Sequence, residues 1–447
     1  MGYSKKYSYL SLDQKCNFST NIIVTFYLES RGNFKEAAEA IAAESSIGTW
    51  TDTKFLKRDL FESLAARVFE IKELSEKTGV IKVAYPIGLF ERDNIPQLLA
   101  DVAGNVFGMR SVKNLRVRDI DIPEIYTKAN KGPAFGISGV RDILGVYDRP
   151  LLGTIIKPKV GLRTKQHAKI AYEAWIGGVD IVKDDENLTD QDFNPFYDRV
   201  NQTLEARRRA EEETGEKKMY CPNISGRMSE MYARAKFVRD MGGRAVMMDI
   251  ITVGFSGVQF IRDQQIGLVM HGHRAMHAAF TNNDKHGISM LVIAKLARLA
   301  GIDQLHTGTV IGKMEGTKDS VLQINSFIRK PWFAIKPTFP IASGGLYPGL
   351  IPKLVRLLGR DIIINLGGGI HGHPDGVIAG ARASKQALDS VLKDKKIAEY
   401  SENHEELKKA IEIWGTGEDK DLGDSHKSNY FHSLVKTKGL SLVKEKK

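Results

Sequence analysis

From Arg149 onward the chain alternates short apolar runs with amphipathic helical patterns, and this alternation restricts the possible architectures more than any other feature. The runs are LLGTIIKP (151–158), DIVKDDE (180–186), KMYCPNIS (218–225), AVMMDI (245–250), LVMHGH (268–273), DQLHTG (303–308), FPIASGG (339–345) and DIIINLGG (361–368). Helical patterns such as HAKIAYEAWIGG, FYDRVNQTLEARRRAEEE, SMLVIAKLARLAG, YPGLIPKLVRLLG and GARASKQALDSVL lie between them. Eight strand-helix units in about 245 residues predict an α/β fold closed as a parallel (β/α)8 TIM barrel, with a doubly wound open sheet as the rival.

The first part of the chain has a different rhythm. IIVTFYLES, NFKEAAEAIAAES, VIKVAYPIGLF and NIPQLLADVAGNVFG mix strand and helix signals and predict a small α+β domain. The Gly- and Pro-rich stretch KANKGPAFGISGVRDILGVYDRP separates the two patterns. The expected division is an N-terminal domain over 1–135, a barrel over 136–420 and a basic tail over 421–447.

Composition removes several function classes. Of 447 residues only two are cysteines, so no disulfide framework carries the fold and a reducing, cytoplasmic compartment is expected. No apolar run reaches the ~18–20 residues of a membrane span, and no membrane partner is expected. The net charge of +11 is spread among nearly as many carboxylates as cations, without the clustered, aromatic-interleaved patch of a nucleic-acid binder.

Barrel enzymes gather their chemistry at the C-terminal ends of the strands. Polar residues collect there: Lys157 and Lys159 after the first strand, Lys183, Asp184, Asp185 and Glu186 at the second, Asn223 at the third and His271, His273 and Arg274 at the fifth. His306 ends the sixth, Ser343, Gly344 and Gly345 the seventh, and Gly367, Gly368 and Gly369 the eighth. Adjacent carboxylates at a buried rim repel unless a cation neutralises them, and oxygen ligands favour magnesium or calcium over zinc. A solvated acidic turn is the alternative. Lys183 either pairs with these acids or, desolvated, reacts at its amine.

In HGHRAMH, a histidine can move protons and Arg274 can grip an anion bidentately; zinc ligation through HxH is the competing reading. The turns at 343–345 and 366–369 expose backbone amides where barrels commonly bind phosphate, although glycine turns often only turn. GTVIGKMEG sets Lys313 in a loop able to close over substrate, or simply in a surface loop. Anionic grips on opposite sides suggest a substrate with two phosphates.

The strings GTIIKPK, GGVDIVKDDEN, MHGHRAMHA, HTGTVIGKMEG, IASGG and LGGG, in this order, with AAESSIGTW and AGNVFG before them, resemble the large subunit of ribulose bisphosphate carboxylase/oxygenase (RuBisCO) over about residues 20–415. MHGHRAMHAAFT and GIDQLHTGT are most similar to the archaeal form III enzymes, and GKMEG to form II and hybrid II/III. The resemblance implies a ferredoxin-like N-terminal domain and carboxylation, with competing oxygenation, of ribulose 1,5-bisphosphate to two 3-phosphoglycerates. It makes Lys183 the lysine that takes up activating carbon dioxide as a carbamate, which with Asp185 and Glu186 holds magnesium. Lys157 would protonate the last carbanion with support from Lys159, His273 would assist proton transfer, and Lys313 would stabilise the new carboxylate.

By the same resemblance, Arg274, His306 and Ser343 hold one phosphate, and Gly344, Gly345, Gly367, Gly368, Thr49 and Trp50 surround the other. Glu44 and Asn105 complete the set from a neighbouring subunit, Glu44 pairing with Lys313. A homodimer or a ring of homodimers without small subunit is thereby implied, serving nucleotide (AMP) salvage or carbon fixation. The alternative is a RuBisCO-like enolase or isomerase of another sugar phosphate; retention of Lys313, Glu44, Asn105 and His306 favours carboxylation. The segment from Lys313 to Ser343 spans only 343 − 313 = 30 positions, shorter than the family pattern and bearing on the sixth helix.

Overall fold

The structure, a computed structural model, describes residues 7–12, 15–48, 51, 53–311 and 318–417. Strands β1 (Asn21–Ser30), β2 (Arg67–Ser75), β3 (Thr78–Pro86) and β4 (Val112–Asp121) form the N-terminal sheet in the order β4-β1-β3-β2, all pairs antiparallel. With helices Phe34–Glu44 and Ile95–Ala103 as crossovers, this is the ferredoxin-like order. Asn33 and Asn94 cap these helices through their side chains.

The eight apolar runs become the parallel strands β5 (Leu151–Ile155), β6 (Ile181–Lys183), β7 (Met219–Cys221), β8 (Ala245–Asp249) and β9 (Val269–His273), followed after a short extra strand β10 (Gly287–Ile288) by β11 (Gln304–His306), β12 (Phe339–Ser343) and β13 (Ile363–Leu366). Their ladder runs β7-β6-β5-β13-β12-β11-β9-β8. A single parallel bridge between Asn223 and Met247 closes the ring, with Ile224 N–H donating to Met247 C=O (2.9 Å) and Met247 N–H to Pro222 C=O (2.8 Å). An open sheet would leave that edge bare; the barrel reading is the right one. The short segment before β12 still builds a helix, Lys318–Arg329, and fully buried Arg298 ties its last turn and the stretch after it by donating to the carbonyls of Phe327, Ile335 and Lys336.

Side chains alternate across each strand, and two buried clusters follow that parity. Leu151, Ile181, Met219, Ala245, Val269, Phe339, Ile341 and Ile363 fill the barrel interior, while Leu152, Val182, Tyr220, Val246, Met270, Leu305, Ala342 and Ile364 lie in the other cluster, beneath the helices. Helix Gly136–Leu144 plugs the floor of the barrel through Val140 and Leu144. Buried Asp303 holds this plug: its carboxylate accepts from the N–H of Phe135 (2.7 Å), Gly136 (2.8 Å) and Met270 (2.9 Å).

Strand β10 joins the barrel to the N-terminal sheet, pairing parallel to β4. Arg116 of β4 donates to the carbonyls of Thr281, Asn283 and His286, and Lys295 of helix Met290–Ala300 to the carbonyl of Ile120. Outside the barrel wall, Asp184 is fully buried against Arg199 Nε (3.1 Å), Tyr220 Oη (2.6 Å), His167 Nε2 (3.1 Å) and the N–H of Asn223 (3.0 Å). Burial alone would raise its pKa, but Arg199 above all holds it well below the usual carboxylate range.

Two outcomes follow for stability. Asp303→Ala strands three buried N–H donors, so a loss of about 3 kcal/mol or more is expected from the guanidinium-chloride unfolding midpoint. Asp184→Asn leaves Arg199 as an unpaired buried charge and is expected to cost about 3–5 kcal/mol at pH 7. Because the folded carboxyl has the lower pKa, the stabilisation is complete above the unfolded value of about 4 and is lost as pH falls below it. Unfolding midpoints measured between pH 7 and pH 3 should fall less steeply in the Asn variant.

Candidate active site

The inward parity that fills the barrel floor with apolar side chains continues upward. At the C-terminal strand ends it places Lys183 on β6, Asp249 on β8, His271 and His273 on β9, Gln304 and His306 on β11, Ser343 on β12 and Asn365 on β13. All except His273 and Ser343 are buried.

Lys183 is completely buried, and its ammonium donates to Asp184 C=O (2.7 Å). Burial lowers its pKa, and the charges of Glu186, Asp185 and Asp249 only partly oppose that. Asp185 and Glu186 sit on the loop leaving β6 and are met by lysines from the loop after β5: Lys157 Nζ lies 2.9 Å from Asp185 Oδ2, and Lys159 Nζ 3.2 Å from Glu186 Oε1. Asn187 donates its N–H and its amide to Asp185 Oδ1. Despite burial, His273 and Lys183 bring the Glu186 pKa down to about 2.

His273 Nδ1 lies 2.8 Å from Asp249 Oδ1 and its Nε2 lies 3.7 Å from Glu186 Oε2. A carboxylate only accepts, so the close Asp249 contact favours a proton on Nδ1, which the Ala275 N–H also approaches at 3.2 Å, and Nε2 faces the acidic edge. His306 Nδ1 is 2.8 Å from Ser343 Oγ and its Nε2 is 2.9 Å from His271 Nε2, so protein partners occupy both ring nitrogens. Arg274 is buried just beyond β9, where desolvation lowers its pKa to about 10. A Cβ on Gly308 (φ +95°) would come within 2.8 Å of that guanidinium, so glycine leaves it room.

Gly344 and Gly345 follow β12 with φ of +112° and +70°, and Gly367 and Gly368 follow β13; a Cβ on Gly367 would approach Lys157 Cε to 3.4 Å. The loops after β5, β6, β12 and β13 therefore converge. Glu44 closes helix Phe34–Glu44 and Asn105 opens the short helix Asn105–Gly108, both on the N-terminal domain rather than the barrel. Thr49, Trp50 and Lys313 lie outside the described residues, as does the tail over 421–447. Sequence reasoning passed over Asp249 and Gln304; the available signal was a polar residue at an inward position of an otherwise apolar strand.

Among the described residues no group of three or more His, Cys, Asp or Glu side chains is disposed to hold a metal ion. The donor chemistry at the β6 edge nonetheless suits a hard cation, since Asp185 and Glu186 supply oxygen and Lys183 stands at the same rim as the residue able to complete the set only if its nitrogen is modified. No helix among the described residues is long and apolar enough to cross a membrane.

Residues 8–126 match the family model for the ribulose bisphosphate carboxylase large chain, N-terminal domain, and residues 136–414 that for its catalytic domain. A ribulose bisphosphate carboxylase of Methanocaldococcus jannaschii is 52% identical over 400 residues, covering 86% of this chain and 94% of the relative. One from Pyrococcus abyssi is 47% identical over 397 residues, covering 88% and 93%. Among solved structures, octameric Rubisco from Pyrococcus horikoshii OT3 in complex with sulfate superposes with TM-score 0.88 at 45% identity, covering 92% of this chain and 97% of that one. Dimeric archaeal Rubisco from Hyperthermus butylicus gives 0.87 at 42%, covering 91% and 99%. With both domain models matched and relatives of this name about half identical over nearly their whole length, the chain belongs to the ribulose bisphosphate carboxylase large-chain family.

Proposed function

We propose that this protein carboxylates ribulose 1,5-bisphosphate: the sugar bisphosphate, one carbon dioxide and one water give two 3-phosphoglycerates and two protons, with oxygen as a competing co-substrate. The observation that carries the reading is the fully buried Lys183 amine, its pKa lowered by desolvation, beside the carboxylates Asp185 and Glu186. An ammonium that gives up one proton becomes an amine able to attack carbon dioxide; the N–C bond forms, a second proton leaves, and what was a cation is then an oxyanion. That carbamate with Asp185 and Glu186 would hold magnesium, which when bound would supply Lewis acidity that lowers the cost of removing the C3 proton.

The chain's own residues then divide the work. The carbamate oxygen takes the C3 proton to give the enediolate, and His273, oriented by Asp249, moves protons during hydration. Lys313 stabilises the carboxylate newly formed from carbon dioxide, and Glu44 of a neighbouring subunit pairs with it. Lys157 delivers the proton that quenches the last carbanion, with Lys159 beside it. Arg274 grips one phosphate with His306 and Ser343 on the same side. The backbone amides of Gly344, Gly345, Gly367 and Gly368, with Thr49 and Trp50, receive the other. Asn105 joins the site from the same neighbouring subunit as Glu44. Relatives crystallised as dimers and octamers support a dimer-based assembly. The similarity to archaeal relatives supports a place in nucleotide salvage, carbon fixation being the other route, inside the cytoplasm.

Labelled bicarbonate, magnesium and ribulose bisphosphate are expected to yield labelled 3-phosphoglycerate, and Lys183→Ala is expected to lower that rate at least about 10³-fold; label in the product at the native rate from the variant would remove Lys183 from the mechanism. Sharing of sites can be tested by mixing. Lys183→Ala and Glu44→Gln chains are each impaired alone, but a heterodimer regains one native site of two. Random reassociation should therefore restore about a quarter of native activity, whereas sites built within one chain would give no recovery.

A further inference from the structure

Beneath the rim runs a buried row of four polar side chains: Gln304 Oε1 lies 2.9 Å from His271 Nδ1, His271 Nε2 2.9 Å from His306 Nε2, and His306 Nδ1 2.8 Å from Ser343 Oγ. Gln304, His271 and His306 are buried. The direction of every proton in the row follows from its first member. The Gln304 amide nitrogen faces Met219 Sδ at 3.6 Å, and sulfur is a weak acceptor with no proton to give. Turning the amide over would set two acceptors, oxygen and sulfur, against each other with no proton between them, so Oε1 faces His271 and His271 carries its proton on Nδ1.

Burial keeps both imidazoles neutral, pulling the His271 pKa down to about 3 and that of His306 well below its ordinary value. A neutral imidazole has one N–H. His271 spends it on Gln304, so its Nε2 is bare and accepts. The His306 proton must then sit on Nε2, leaving Nδ1 to accept, and among the described residues the donor it meets is the Ser343 hydroxyl.

We propose that Gln304 is a positioning residue which, through the tautomers of His271 and His306, turns the Ser343 hydroxyl proton inward, so that the serine offers the substrate only lone pairs. Ser343 then accepts from a sugar hydroxyl, and its proton is not given to the phosphate that Arg274 grips. His306 acts as a relay with both nitrogens engaged. This deepens the site reading given above and rests on it for the place of Ser343 beside the substrate. It adds a specificity rule: the ligand must carry a hydroxyl, a hydrogen-bond donor, at the position facing Ser343.

Neutron diffraction from deuterated crystals of the unaltered protein tests the row independently of catalysis. Deuterons are expected on His271 Nδ1, on His306 Nε2 and on Ser343 Oγ pointing at His306; a deuteron on His306 Nδ1 overturns the proposal, whether or not ribulose bisphosphate proves to be the substrate. A double-mutant cycle tests its consequence. Gln304→Met removes the acceptor and is expected to raise KM about 10-fold with kcat within about 2-fold, and Ser343→Ala to do much the same. If Gln304 acts through Ser343, the double variant shows no further rise, whereas a product of about 100-fold would mark independent effects and overturn the link. Should Gln304→Met fail to fold, the neutron map alone decides.

Discussion

A strand in a closed barrel has two faces, and every residue on it must belong to one of them. That parity governs this molecule. Along β6 it sends Ile181 and Lys183 inward and Val182 outward, and one step further it sends Asp184 out to Arg199. Adjacent aspartates of identical chemistry thus take opposite tasks. Asp184, sealed against Arg199 and Tyr220, anchors the strand to the surrounding helices, whereas Asp185 turns to the rim and meets Lys157. A one-residue slip of β6 that brought Val182 into the place of Lys183 would also carry Lys183 to the place of Asp184 and Asp184 to that of Asp185.

The rim keeps its charges balanced but movable. Lys157 and Lys159 are long side chains on the loop after β5, and each neutralises one carboxylate of the loop after β6. Lysine suits this, because its ammonium is a flexible point charge that can be displaced without disrupting a fixed bidentate geometry. Lys183 differs because burial leaves its ammonium no water to retreat to. Relief comes only by losing the proton or by becoming an anion, and neighbouring carboxylates make the second course favourable only with a cation between them. Chemistry at this position is forced by desolvation as much as by neighbours.

The eight barrel strands were legible because each joins an apolar run to a polar end, and the amphipathic helices between them left little freedom in chain direction. The rim lysines, acids and histidines were legible for the same reason. What escaped notice depended on register. Asp249 and Gln304 look unremarkable until parity turns them inward, toward His273 and His271. Strand β10 is two residues long, too short to leave a period, and its pairing with β4 arises only when both domains are folded. The bridge closing the barrel lies just past β7, where Pro222 and Asn223 interrupt the apolar pattern.

The start of β11 shows how stability and the site share one piece of backbone. Asp303 clasps the N–H groups of Phe135, Gly136 and Met270 at the floor, and Gln304, the next residue, faces His271 in the interior. Leu305 then packs outward and His306 returns inward toward Ser343. Because the rise per residue is about 3.3 Å, the anchor at the floor and the histidine at the rim are separated by only about 10 Å of extended chain. A strand pinned so near the site has little room to slide. The hydrogen-bonded row from Gln304 to Ser343 needs donor and acceptor atoms held within a few tenths of an ångström of their partners. The carboxylate that fastens the plug beneath the barrel thereby also sets the height at which its upper polar residues meet.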